Sequence, residues 1–391
     1  MREILNNSAI PRNENHKTVI IDVGIDVVSF DKYAKSTCFL VVHDRMVCAF
    51  DGKKNQHAVS HGGLCMDFFV LGANKVPSYF ILLNHDSQGR CCVDDLVVAL
   101  EWCVEANASL VSLSMGSTYY RDAAKLSGVV EWVSQKGVCL IAGASNEGLL
   151  SYPACFEGCI GVCVDHSLAL GISGYAYMEN SFDGIEIVIN PLIAGEQLGS
   201  NSMATAYFSG MISRLILDTG VERGRVKEWL ATMADCVDPR SLWAFRAHSL
   251  GAYPKPPLGD VIIIAVYGMT ANSYTAQFCH ELQNCFLTAD YLCTAIFSER
   301  YYTGESRYAL YQHFHTDDRL CSYEDFVKLV VQLCQPNAIL VEWSYYGNEI
   351  DVLLCQNTPV PVVNDGTLVI DINANTLVEV FESIIRFFGG E

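Results

Sequence analysis

The chain is short of positive charge and has no long apolar run. Its 391 residues include 25 Lys and Arg against 44 Asp and Glu, which gives a net charge of −19 at pH 7. A protein this acidic repels a phosphate backbone and an anionic bilayer, so neither nucleic acid nor a membrane is expected as a partner. No uninterrupted run of about 18 apolar residues predicts a membrane span. The first residues also lack the apolar core of a secretory signal peptide.

Cysteine is plentiful, but it does not form a disulfide pattern. The 17 cysteines are an odd number and are scattered through predicted helices and strands, as is typical of reduced thiols in a cytoplasmic protein. Cys155, Cys159 and Cys163 are spaced by four and could suggest a metal site. This segment is predicted to be one strand, on which a spacing of four separates neighbouring side chains by about 13 Å, too far for one tetrahedral ion. The three cysteines are interpreted as small apolar core residues. Neither a metal site nor a cofactor is predicted.

A serine at the start of a predicted helix is the first candidate for chemistry. Small and polar residues, 199–201, lead into an apolar pattern of helical spacing that begins beside Ser202. Unpaired N–H groups and the positive end of the dipole at a helix N-terminus stabilise negative charge, including the charge of an attacked carbonyl. The alternative for any such serine is a simple helix cap.

Polar side chains also occur at three other predicted strand ends or helix starts. These are Asp22 within TVIIDVG (18–24), His61 at the head of HGGLCMDFFVLGAN (61–74) and Asn146 within VCLIAGASNEG (138–148). Together with Ser202, the chain order is aspartate, histidine, asparagine and serine.

That order and the local strings resemble the subtilisin-like serine proteases. The family's aspartate motif appears as IIDVG, its His-Gly-Thr-His motif as HGGL, its Ala-Gly-Asn-Glu-Gly motif as ASNEG and its Gly-Thr-Ser-Met-Ala motif as SNSMA. The resemblance covers about residues 15–235. It implies an α/β fold of three layers around a parallel sheet.

The resemblance also implies a role for each matched residue. Ser202 would be the nucleophile, His61 the general base and Asp22 the residue that orients the imidazole. The Asn146 amide and the Ser202 N–H would stabilise the oxyanion. The substrate cleft would be lined by Leu113, Ser114, Met115, Gly116, Gly143, Ala144 and Ser145.

Four positions depart from the family pattern without removing a proton-transfer group. Ser200 stands where the family has glycine, so a positive φ there would strain the backbone. Ala206 replaces a usual proline, Val23 replaces a hydroxyl residue, and Leu64 replaces the second histidine. His57 could be proposed as the base instead of His61, but it lacks the Gly-Gly helix entry.

A second domain is predicted after a proline-rich linker. We expect a peptidase domain at 1–250, a linker at 251–259 and an accessory domain at 260–391, in which strands and helices alternate as in a smaller α/β domain with a mostly parallel sheet. Its first turn, 268–275, resembles a degenerate P-loop of a Rossmann-like fold. Tyr274 replaces the lysine that a P-loop needs, so nucleotide hydrolysis is not predicted. An ordinary strand-to-helix turn is the alternative.

An intracellular subtilisin-like domain joined to an accessory domain resembles the peptidases of bacterial peptide-maturation systems. These enzymes remove leader segments from ribosomally made peptides. The implied substrate is a peptide, including a modified precursor peptide, and a homo-oligomer is compatible with the sequence. A general intracellular protease and an inactive peptide-binding pseudo-protease remain alternatives.

Overall fold

A computed structural model describes most of the chain. The described residues are 16–50, 60–85, 90–179, 181–193, 195–251, 261–267, 273–298, 311–314, 322–343, 350–356, 363–364 and 366–389. They divide into two compact units. Unit 1 contains the described residues within 1–146 and 151–242, and unit 2 contains those within 147–150 and 243–391.

Unit 1 is built on a nine-stranded sheet of order β3-β2-β4-β1-β5-β6-β7-β9-β8. Only the β2–β3 and β8–β9 pairs are antiparallel among these described strands. The strands are β1 (Thr18–Val23), β2 (Cys38–His43), β3 (Met46–Ala49), β4 (Tyr79–Leu83), β5 (Leu110–Leu113), β6 (Cys139–Gly143), β7 (Ile160–Val164), β8 (Tyr175–Tyr177) and β9 (Ile187–Ile189); β10 (Leu192–Ile193) and β11 (Glu196–Gln197) form a separate hairpin.

Helices cover both faces of this sheet, because its central strands are apolar on both sides. The helices of unit 1 are α1 (Val27–Tyr33), α2 (His61–Ala73), α3 (Val93–Glu105), α4 (Tyr120–Gln135), α5 (Asn201–Thr219) and α6 (Val226–Met233). A further helix, α7 (Pro239–Gly251), begins in unit 1 and ends in unit 2. Ile20 of β1 packs in one core cluster with Phe69 of α2 and Phe208 of α5. Val19 and Ile21 are equally buried and face the opposite side.

Helices α2 and α5 pack together without room for side chains at their crossing. A Cβ atom on Gly72 would lie 2.2 Å from the carbonyl oxygen of Tyr207, and one on Gly210 would lie 2.2 Å from that of Phe69. The two glycines therefore allow the backbones of α2 and α5 to approach each other closely. Because α2 begins at His61 and α5 at Asn201, this contact fixes how the two helix starts lie relative to each other.

Unit 2 holds a six-stranded sheet of order β14-β13-β15-β12-β16-β17, parallel throughout its described pairs. Its elements are β12 (Ile262–Tyr267), α8 (Ser273–Thr288), β13 (Cys293–Ser298), β14 (Tyr311–Phe314), α9 (Tyr323–Cys334), β15 (Ala338–Glu342), β16 (Val352–Cys355), β17 (Leu368–Asp371) and α10 (Leu377–Gly389). The short segment Glu147–Leu150 also belongs here, and the Leu150 N–H donates to the Leu333 carbonyl at 3.0 Å.

The predicted α/β class, with a mostly parallel sheet followed by a second and smaller parallel sheet, is confirmed. Within the described residues, no helix has the length and apolar content needed to cross a bilayer. Cys163 lies in β7, whereas Cys155 and Cys159 precede that strand, so predicting one strand through all three was wrong. Cys159 and Cys163 are buried.

Several predictions fall on other parts of the chain. His57, residues 252–259 of the linker and residues 268–272 of the P-loop-like turn lie outside the described residues. The domain boundaries at 250 and 260 stay a prediction.

Candidate active site

A carboxylate and an imidazole meet at the carboxyl end of β1, an inner strand of the unit 1 sheet. Asp22 is the penultimate residue of β1, and His61 is the first residue of α2. His61 Nδ1 lies 2.6 Å from Asp22 Oδ1, which also accepts the Val23 N–H at 2.6 Å. Asp22 is fully buried, while 42% of the His61 side chain is exposed. The hydrogen bond to Asp22 raises the pKa of His61, since the charged imidazolium donates more strongly to the carboxylate.

The start of α2 is held by a small polar network beside His61. Ser60 is the N-cap residue, and its Oγ accepts the Gly63 N–H at 3.1 Å and the Asp26 N–H at 2.7 Å. The Ser60 hydroxyl donates in turn to Asp26 Oδ2 at 3.0 Å. Asp26 caps α1, so one buried serine ties the starts of two helices together. The network fixes the backbone from which His61 projects.

Cys65 lies one helical turn after His61 and contacts both ends of the site. Its Sγ is 4.0 Å from His61 Nδ1 and 4.0 Å from the carbonyl oxygen of Ser202. Ligand atoms of Asp22, His61 and Cys65 lie within 4.8 Å of one another and could hold a metal ion. Burial raises the pKa of the Cys65 thiol well above its ordinary value, however. The thiol is therefore protonated at neutral pH, which favours a packing role.

Ser202 is the second residue of α5, and its hydroxyl is buried. Its Oγ donates to the carbonyl of Ser114 at 3.1 Å. Among the described hydrogen bonds, none joins this hydroxyl to His61.

Ser200 caps the helix with φ −155° and ψ 163°, an extended conformation that serine adopts without strain. The departure from glycine at this position therefore carries no backbone penalty.

The loop that carries Asn146 follows β6 and is held by its backbone. The Ala144 N–H donates to the Val162 carbonyl at 2.8 Å, and the Ser145 N–H donates to Ser151 Oγ at 3.1 Å. Asn146 is exposed, and its Oδ1 accepts the Asn201 N–H at 3.0 Å. Since the amide oxygen is used in this way, its Nδ2 is the end that can donate to a substrate oxygen.

The predicted cleft residues occupy the carboxyl ends of two neighbouring strands. Segment 113–116 continues from β5 and segment 143–145 from β6, and these strands pair in parallel. Gly116 is exposed, and a Cβ there would lie 2.5 Å from the Tyr152 carbonyl oxygen. Ser117 and Tyr152 exchange two backbone hydrogen bonds of 2.8 Å. The edge next to Met115 is thereby fixed in an extended form.

Three residues of this region were missed from the sequence: Ser60, Cys65 and Asn201. Ser60 had a detectable signal, because a serine directly before an apolar helical run is a common cap. Asn201 occupies the threonine position of the serine motif, and Cys65 lies four residues after His61. Their contacts depend on the tertiary arrangement.

Comparisons with known proteins return similar folds but no sequence family. No protein-family model matches the chain, and no curated protein matches it. Among solved structures, the protease domain of PatA is 15% identical, with 62% of this chain and 99% of that chain covered and a TM-score of 0.40. The prenylagaramide maturation protease PagA is 17% identical over 58% and 86%, with a TM-score of 0.42. A lanthipeptide protease is 13% identical over 60% and 88%, also with a TM-score of 0.42.

These neighbours are proteases, and the names of two of them, the prenylagaramide maturation protease PagA and the lanthipeptide protease, refer to peptides. The contacts of Asp22, His61, Asn146 and Ser202 define the polar groups of the present site.

Proposed function

We propose that the chain is a serine peptidase in which Asp22, His61 and Ser202 form the catalytic triad. The observation that carries the proposal is the 2.6 Å contact between the buried Asp22 carboxylate and the half-exposed His61 imidazole. Cys65 Sγ, at 4.0 Å from both His61 Nδ1 and the Ser202 carbonyl oxygen, relates that pair to the helix start that bears the serine.

The chemistry is acyl transfer. His61 Nε2 takes the proton of Ser202 Oγ as the oxygen attacks the scissile carbonyl, and Asp22 holds the tautomer in which Nδ1 carries a proton. The carbonyl oxygen becomes an oxyanion stabilised by Asn146 Nδ2 and the Ser202 N–H. Collapse breaks the C–N bond, and the imidazolium returns its proton to the leaving amine. Water then hydrolyses the acyl-enzyme by the same steps in reverse.

A peptide is the proposed substrate, and removal of a leader from a ribosomally made precursor is the proposed process. The net charge of −19 favours a neutral or basic peptide over an acidic one. Unit 2 is proposed as a non-hydrolytic binding or assembly domain, and the cytoplasm as the compartment. A general intracellular protease would instead degrade unfolded proteins without selectivity.

One observation favours a second candidate, a pseudo-protease that binds peptides without cutting them. The Ser202 hydroxyl donates to Ser114 at 3.1 Å. A catalytic cycle therefore needs Ser202 to turn toward the imidazole. Catalytic hydrogen bonds are often long or misaligned before substrate binds, so this geometry is also compatible with an enzyme.

Fluorophosphonate labelling of the full chain, read by intact mass, separates the two candidates. An activated serine gives one adduct on the wild type, none on Ser202→Ala and a rate at least about 10³-fold lower on His61→Ala. Ser209→Ala is the matched control. Ser209 lies in the same helix, and its buried hydroxyl has no hydrogen-bond partner among the described residues.

We expect Ser209→Ala to label like the wild type. A folded wild type that forms no adduct, with or without candidate peptides, would exclude the peptidase and favour the pseudo-protease. An adduct that persists on Ser202→Ala would assign the nucleophile to another residue.

A further inference from the structure

The side chain of Asn201 is buried next to the proposed nucleophile and uses every hydrogen-bonding group it has. Only 7% of Asn201 is exposed. Its Oδ1 accepts the Val164 N–H at 3.0 Å. Its Nδ2 donates to the carbonyls of Ala144 at 3.2 Å and Ser145 at 3.1 Å. An asparagine amide offers two donors, so neither remains for a substrate.

The backbone of Asn201 extends these contacts in two directions. Its N–H donates to Asn146 Oδ1 at 3.0 Å, and its carbonyl accepts the Thr205 hydroxyl at 2.7 Å. The first contact orients the Asn146 amide, and the second lies within α5. Asn201 therefore joins the end of β7, the loop after β6 and the first turn of the serine helix.

We propose that Asn201 is a positioning residue that holds the side-chain amide of Asn146 in a fixed position and orientation relative to Ser202. This inference rests on the proposed peptidase function and assigns a role that the triad does not supply. The hydrogen bonds from Asn201 Nδ2 to the Ala144 and Ser145 carbonyls fix the path of the loop immediately before Asn146. The Asn201 N–H then fixes which end of the Asn146 amide points away from α5.

The chemistry of the contacts explains why an asparagine serves here. A threonine, the residue of the family motif, has one hydroxyl and cannot reach both carbonyls and an amide N–H. An aspartate has the same shape, but its oxygens cannot donate to the Ala144 and Ser145 carbonyls. Asn201→Asp therefore breaks two hydrogen bonds and places a charge against two carbonyl oxygens, with little change in volume.

A double-mutant cycle tests whether Asn201 acts through Asn146. The measured quantity is the rate of fluorophosphonate labelling of the full chain. We expect Asn201→Asp to slow labelling about 10- to 100-fold in the wild type, as for impairment of one oxyanion donor. In the Asn146→Ala background, the same change should cost less than about threefold, because the group that it positions is already absent.

Asn190→Asp is the matched control in unit 1. Asn190 also holds two backbone groups, the Ile172 carbonyl and the Leu192 N–H, in a loop after β9. We expect it to label within about twofold of the wild type. A full loss for Asn201→Asp that persists in the Asn146→Ala background would overturn the proposal, as would labelling of Asn201→Asp at the wild-type rate.

Amide hydrogen exchange supplies a readout that does not depend on activity. Asn201→Asp should speed exchange at residues 144–146 at least about fivefold, without changing β2. Unchanged exchange there contradicts the positioning role even if the wild type does not react. A wild type that fails to label while Asn201→Asp loosens the loop would refute the peptidase and leave the positioning role standing.

Discussion

The two halves of the candidate site are held in different ways. The acid–base half, Asp22 with His61, is already in contact, at 2.6 Å. In the nucleophile half, Ser202 with Asn146, the hydroxyl donates to Ser114 and the amide is oriented by Asn201. The first half depends on a strand end held by strand pairing and on a helix start held by the Ser60 cap. The second depends on a rotatable hydroxyl and an exposed loop residue, so under the proposed function this half needs the larger rearrangement when a substrate binds.

Removing the charge of Asp22 tests the acid–base half and should have the largest effect on the rate of fluorophosphonate labelling. Asp22→Asn keeps the volume but lets the residue at 22 donate to Nδ1, which selects the wrong imidazole tautomer. We expect the labelling rate to fall about 10⁴-fold, the size of the loss in turnover that the wrong tautomer causes in a Ser-His-Asp triad. Asp31→Asn, an exposed change in α1, is the control.

A small effect of Asp22→Asn on the labelling rate, with Asp31→Asn labelling like the wild type, would contradict the division of the site into these two halves. It would mean that the contact between Asp22 and His61 is structural and that the serine is activated by another group.

Much of this arrangement could be predicted from short strings. An apolar run ending in Asp22 and Gly24 predicted β1, and the Gly-Gly pair after His61 predicted the start of α2, because strand and helix signals are local. The conformation of Ser200 could not be predicted. The family pattern suggested a positive φ, yet the serine is extended and caps α5.

What the sequence could not supply is the choice of partner for each polar atom. The hydroxyl of Ser202 bonds to Ser114, and the amide of Asn201 reaches Ala144, Ser145 and Val164. These partners lie in or directly after three strands, β5, β6 and β7, and the pairing depends on register and rotamer. Strand β14 (Tyr311–Phe314) was also missed, because it is short and lacks a long apolar run.

A substitution in the first turn of α2 tests whether the acid–base half depends on the position of this helix start. A Cβ on Gly62 would lie 2.5 Å from the Gly24 carbonyl oxygen and 2.6 Å from the Phe80 ring. Neither neighbour can yield easily, since one is backbone and the other is a fully buried ring. We expect Gly62→Ala to lower the free energy of unfolding by about 1–3 kcal/mol and to slow labelling, because His61 is adjacent.

Gly128→Ala in α4 is the matched control for urea unfolding. Gly128 is exposed, and a Cβ there meets no atom within 4 Å. We expect this change to raise stability by about 0.5–1 kcal/mol, because alanine favours a helix more than glycine does. Equal effects of the two substitutions would show that the Gly62 contacts do not constrain the start of α2.

The pH dependence of stability gives the smallest effect and isolates the acid–base half. The hydrogen bond to Asp22 raises the pKa of His61 above its ordinary value of 6.5 in the folded protein. The folded state therefore binds the proton more tightly than the unfolded state does. The resulting stabilisation is fully present below pH 6.5 and is lost as the pH rises through the folded pKa.

Thermal midpoints of the wild type and His61→Ala, compared between pH 5.5 and 9, measure this linkage. We expect the thermal midpoint of the wild type to exceed that of His61→Ala by more at pH 5.5 than at pH 9. In the Asp22→Asn background that pH dependence should vanish, because the partner that raises the pKa is neutral. A His61→Ala difference that keeps the same pH dependence without the Asp22 charge would show that another group stabilises the imidazolium. The acid–base half would then be less self-contained than its 2.6 Å contact indicates.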